Sequence, residues 1–78
     1  MKMHPVKSSN IAEIGYEDVS GVLHVRFVGS DGIHRYHNVP SALFNKLLAA
    51  DSVGSMFHRE VRGKFTHTPP AKDKPNAE

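Results

Sequence analysis

One stretch constrains the chain more than any other: Val22-Leu-His-Val-Arg-Phe-Val28, then Gly29-Ser-Asp-Gly32, then Ile33-His-Arg-Tyr-His37. Leu23, Val25 and Phe27 alternate with His24 and Arg26. That period of two suits an extended strand with one apolar face. Asp31-Gly32 is the strongest short hairpin signal, because glycine supplies the positive φ of a tight turn. The return strand places Ile33, Arg35 and His37 on one face and His34 with Tyr36 on the other. If Tyr36 faces the core, His34 does too, at its rim. Upstream, Ile14 and Tyr16 share one side of a strand within Ile11–Tyr16, with Glu13 opposite. Ser20-Gly21 sits where a reversal is needed. These segments predict a three-stranded antiparallel meander.

The pattern changes at Asn38-Val39-Pro40. Pro40 suits a first helical turn, where its missing N–H costs nothing. Leu43, Leu47 and Leu48, with Phe44 beside them, recur at three and four. Ala42, Ala49 and Ala50 favour helix. Asp51-Ser52 ends this helix and caps the next, in which Val53, Phe57, Val61 and Phe65 lie at successive spacings of four. Gly54 and Gly63 weaken the second helix, which is expected to stop near Arg62. Each layer has an apolar face that it cannot bury alone. The predicted fold is α+β: a small antiparallel sheet of about three strands covered by two C-terminal helices. Leu23, Val25 and Phe27 would face Leu43, Leu47 and Val61. Residues 1–6 are expected to be a flexible N-terminal lead-in and 7–66 the single domain. Residues 67–78, with three prolines and no apolar pattern, read as a flexible tail.

Composition removes whole classes of function. A chain of 78 residues has room for one domain, and 38% hydrophobic residues is too many for a disordered chain. With no cysteine there is no disulfide framework, no thiol nucleophile and no Cys-type zinc finger. The start, Met-Lys-Met-His-Pro, leads into no apolar run, and nothing approaches the roughly 18 apolar residues of a membrane span. A soluble, cytoplasmic protein with no membrane partner is expected. Strand alternation separates His34 from His37, and no acid or cysteine follows at metal-ligand spacing. No metal is expected. Ser30, Asp31 and the histidines form no recognisable nucleophile signature. Gly29–Gly32 lacks the Lys-Ser/Thr ending of a phosphate loop, and its role as a turn explains it. No catalytic residue and no cofactor are expected.

Charge is more suggestive. The net charge is +2. Residues 11–40 hold four acids against two arginines, whereas 41–65 hold four basic residues against two acids. A phosphate-bearing partner would meet the second half. Arg59 and Arg62, three apart, share a helix side. Lys64 follows them, and Lys46 on the preceding helix extends the patch. Such a patch can hold phosphate oxygens without reading bases. It serves equally as a solvated helix surface whose charges assist the helix dipole. Tyr36 beside Arg35 and His37 mixes aromatic and cationic groups, as single-stranded RNA platforms do. The seam of a small core looks the same. The candidate nucleic-acid contacts are His34, Arg35, Tyr36, Lys46, Arg59, Arg62 and Lys64.

The run Gly32-Ile-His-Arg-Tyr-His-Asn-Val-Pro40, with Leu23–Phe27 before it and Ala50–Phe57 after it, resembles the KTSC domain family. That family is a short module found alone in bacterial proteins and at the C-terminus of some lysyl-tRNA synthetases. Its signature is Tyr-x-Tyr, then Val-Pro, a helix, and an Ala-x-Ser-x-Gly segment with an aromatic. Tyr36 matches the second tyrosine, Val39-Pro40 the Val-Pro, and Ala50 to Phe57 the later segment. His34 stands at the first tyrosine, so half of any aromatic pair is an imidazole here. Arg62 followed by Phe65 matches a basic-then-aromatic ending. The resemblance covers about residues 7–66 and brings no catalytic residue and no established biochemical function. The company of a tRNA synthetase implies RNA, tRNA-like in form, as the partner. The expectation is a non-catalytic RNA-binding module using the basic residues of the second helix. The alternative is a small protein–protein interaction module, binding itself or another protein, without nucleic acid.

Overall fold

The computed structural model describes residues 1–70. The elements are β1 (Met3–Pro5), β2 (Ile11–Glu17), β3 (Val22–Phe27), β4 (Ile33–Tyr36), α1 (Ser41–Ala49), α2 (Val53–Glu60) and β5 (His67–Thr68). Every strand pairs antiparallel with its neighbour in the order β1-β2-β3-β4-β5. The α+β class and the two helices are as expected. The sheet is not: it has five strands rather than about three. The two additional strands come from segments read as lead-in and tail. Strands of three and two residues show no periodicity of their own. They form because a neighbouring strand already offers an unpaired edge. Residues 71–78 of the expected tail lie outside the described residues.

Local chemistry explains the turns. Gly21 takes φ 71° at the first reversal, and its N–H donates to the Glu17 carbonyl at 2.9 Å. In the β3–β4 connection the positive φ falls on Gly29 (83°), not on the expected Gly32. Ser30 N–H closes that turn onto the Phe27 carbonyl at 3.1 Å. Gly32 has a different role: a Cβ there would lie 2.5 Å from Cγ of Pro70. Pro40 sits one place earlier than expected, as the extended N-cap of α1 (φ −66°, ψ 143°) rather than in its first turn. Its missing N–H is harmless there too, since the helix needs only its carbonyl. That carbonyl accepts the Leu43 N–H at 3.0 Å.

Ser52 caps α2, its hydroxyl accepting the Ser55 N–H at 3.4 Å. The Ser8 hydroxyl accepts N–H bonds from Asn10 and Ile11, both at 3.1 Å, and so builds the turn into β2. A Cβ at Gly54 would lie 3.0 Å from that same oxygen. The Ser52 and Gly54 positions of the Ala-x-Ser-x-Gly segment thus start α2 and let it approach the loop before β2.

The core is one cluster comprising Ile11, Ile14, Leu23, Val25, Tyr36, Val39, Leu47, Val53, Phe57 and Val61. Leu43, Phe44, Phe27 and Phe65 are half-buried against it. The sheet presents two rows to the helices: Tyr16–Leu23–Tyr36–His67, and Ile14–Val25–His34 beside it. The opposite face carries the Glu13–Arg26 ion pair at 2.7 Å and His24. Burial first, and the Arg35 charge second, push the His24 imidazole below its usual range.

Candidate nucleic-acid interface

A cleft of about 490 Å³ lies between the C-terminal end of α2 and the β3–β4–β5 end of the sheet. Phe27, Tyr36, Phe57 and Phe65 supply aromatic walls, and His34, His58, His67 and Arg62 supply the polar groups. Among the described residues no carboxylate lines it. A second hollow of about 420 Å³ adjoins, lined by Ser9, Asn10, Phe27, Val28, His58 and Arg62. Phe27, His58 and Arg62 border both, so the two form one groove that passes the Arg62 guanidinium.

Inside the cleft the Tyr36 ring is enclosed. Phe57 meets it edge-on at 5.2 Å and 82°. His67 lies parallel to it, at 4.6 Å and 11°. His34 Nδ1 and His67 Nε2 are 2.8 Å apart. Those two rings are nearly coplanar (16°) with centroids 5.0 Å apart. This is an end-to-end hydrogen bond, because two ring radii plus one bond span about that distance. Phe27 packs its edge on His34 at 4.9 Å. Burial, and then the His67 charge, push the His34 imidazole below its usual range, so it is neutral at pH 7. Burial raises the Tyr36 hydroxyl, with the Arg62 charge pulling the other way. Arg62 is therefore the permanent charge of the cleft.

Three of the seven residues singled out from the sequence come together: His34, Tyr36 and Arg62. Tyr36 is only 5% exposed, so its ring is not an open platform. Arg35 lies on the opposite face, in register with His24. Lys46 is exposed on α1, away from the cleft lining. Arg59 is exposed and stands 3.5 Å from Glu60. Lys64 is exposed between Gly63 and Phe65, both of which line the cleft. His58 and His67 were not singled out as contacts. The sequence signal for His67 is only the pair of β-branched threonines around it. Among the described residues no group of three His, Asp or Glu could hold a metal ion. Among them, too, no helix is long and apolar enough to cross a membrane.

A family model described as the KTSC domain matches residues 7–65. A protein of Tsukamurella paurometabola is 38% identical over 63 residues, covering 81% of this chain and 92% of that one. An uncharacterised protein of Stutzerimonas stutzeri is 36% identical over 59 residues, covering 76% and 82%. The crystal structure of a KTSC domain protein from Yersinia pestis superposes with a TM-score of 0.82 at 31% identity. That match covers 87% of this chain and 94% of the other.

Proposed function

The chain belongs to the KTSC domain family, and from that premise we propose that it is a non-catalytic module that binds single-stranded RNA. Binding takes place in the cytoplasm, along the groove that passes Arg62. One observation carries the reading: a permanent guanidinium at the junction of two hollows that share Phe27 and His58, the larger walled by further aromatic rings and imidazoles, with no carboxylate among the described residues lining either. A guanidinium holds a phosphate through two parallel N–H bonds. Exposed Lys64 and Arg59 raise the positive field along the approach. Phe27, Phe65 and His58 offer ring surfaces on which bases stack without sequence preference.

The alternative, a protein-interaction module, would use a sheet edge or an apolar face. Both edge strands argue against the first route. β1 ends in Pro5, and β5 runs into Pro69-Pro70. Prolines at an edge discourage the addition of another strand.

Fluorescence anisotropy against labelled single-stranded RNA and a tRNA-like hairpin, at low and physiological salt, tests the proposal. Saturable binding that weakens steeply with salt is expected. Arg62→Glu is expected to lower affinity about tenfold or more, with the circular dichroism unchanged. Arg59→Glu has the smaller effect, because Arg59 already stands beside Glu60. Absence of binding at tens of micromolar protein, even at low salt, overturns the reading.

A further inference from the structure

The cover on Tyr36 is carried by the shortest strand of the sheet. His67 lies parallel to the Tyr36 ring at 4.6 Å, the arrangement a base adopts on an aromatic platform. Yet His67 belongs to a two-residue edge strand whose residues are both exposed. Backbone pairing to Arg35 and Tyr36 and the His37 N–H on the Thr66 carbonyl at 2.9 Å hold that strand. Two side-chain bonds add to these: His34 Nδ1 to His67 Nε2 at 2.8 Å, and His37 Nε2 to the Thr68 hydroxyl at 2.7 Å.

We infer that the face of Tyr36 beneath His67 is a concealed stacking subsite for one nucleobase, with His67 as its intramolecular placeholder and the His34–His67 hydrogen bond as the latch. The inference rests on the RNA reading above and names what the innermost part of the groove receives. The base takes the place of the imidazole, and its phosphate reaches Arg62.

The latch has a chemical release. An imidazole–imidazole bond needs one ring to donate and the other to accept. When both rings carry two protons, no acceptor is left and two cations face each other. The groups around the pair are His34 and Tyr36 from β4, His58 from α2, Arg62 from the turn after it and His67 from β5. Among the described residues lining the cleft there is no carboxylate to offset the second proton. The His37–Thr68 bond survives acid, because a hydroxyl can accept from a protonated ring. Acid therefore acts on the one side-chain bond that His67 itself makes, and leaves its ring over Tyr36 held by the backbone pairing and Thr68 alone.

The test uses the full chain and labelled octaadenylate. His67→Ala removes the placeholder and is expected to tighten binding about fivefold or more at pH 7, because no intramolecular ring competes for the site. Nuclear magnetic resonance of the unaltered chain supplies the second readout, which does not depend on how well the variant folds. Octaadenylate at pH 7 should shift the Tyr36 ring signals and speed amide exchange at Thr68. Lowering the pH from 7 to 5 without ligand should lower the Thr68 protection factor, with the slower intrinsic exchange in acid allowed for, while Ile14, Leu23 and Val25 stay protected. Binding that leaves the Tyr36 ring signals unmoved, or that His67→Ala fails to tighten, overturns the placeholder and leaves the RNA reading standing. No binding by either protein overturns both.

Discussion

Tyr16 and Tyr36 flank Leu23 in one row of the sheet and face the same helices, yet they are covered in opposite ways. The Tyr16 ring stacks on Phe44 of α1 at 5.2 Å, and its hydroxyl donates to the Val39 carbonyl. That cover is apolar and is carried by a helix anchored through fully buried Leu47. Tyr36 is covered by an imidazole on a two-residue strand, held in part by another imidazole. One end of the row is fastened by contacts that pH does not touch. The other is closed by contacts that a proton can break. What a tyrosine does in this domain depends on what lies over it, more than on its place in the sheet.

The fastened end should show the largest loss when cut. Leu47→Ala removes the fully buried anchor of α1 and is expected to cost about 2–4 kcal/mol in urea denaturation. A loss under about 1 kcal/mol would mean that α1 does not anchor this end. Paired hydroxyl deletions compare the two tyrosines directly. Tyr16→Phe strands the Val39 carbonyl and should cost about 1–2 kcal/mol, whereas Tyr36→Phe should cost less than about 0.5 kcal/mol. Equal losses would erase the distinction between the two ends.

A pH series probes the imidazoles. His34 and His24 both have folded-state values below the ordinary 6.5. Between those values and about 6.5 the unfolded chain binds more protons than the folded one. The contribution of these neutral rings is complete above about pH 6.5 and is lost progressively below it. The melting temperature should therefore fall from pH 7.5 to pH 5. Amide protection factors, relative to the intrinsic rate at each pH, should fall first at Thr68 and last around Tyr16, and a uniform fall would remove the contrast. A small and local change is expected from Gly32→Ala. Its Cβ would meet Pro70 Cγ at 2.5 Å and push the end of the strap outward. Stability should change by less than about 1 kcal/mol, with faster exchange at Thr68 as the visible effect.

The shared core between sheet and helices was largely legible in the chain. The alternation through Leu23, Val25 and Phe27 and the spacing of Leu43, Leu47, Val53, Phe57 and Val61 each report a face that must be buried, and these residues meet in and around one core. The exceptions are places where two neighbouring residues could do the same work. Gly29 rather than Gly32 bears the positive φ, and Pro40 caps α1 instead of entering it. The edge strands were not legible, because Met3–Pro5 and His67–Thr68 are too short for a two-residue alternation to repeat itself. Nor was the full cleft. His34 and Arg62 were singled out for chemistry that the residues carry themselves. His67 acquires its role only by pairing with Tyr36, 31 positions earlier in the numbering. A contact of that span leaves no pattern in a local window.

The strap over the open end has a consequence for how this chain behaves in bulk solution. While β5 is in place, the outer side of β4 is occupied at Arg35 and Tyr36. Ile33–Tyr36 contains no proline and carries two β-sheet formers at its ends. Once β5 lifts, that side becomes a bare template for any extended segment, including one from another molecule. A concentrated acidic sample is therefore expected to polymerise, whereas the same sample at neutral pH stays dispersed. Two residues at the margin of the sheet set the shelf life of the whole domain.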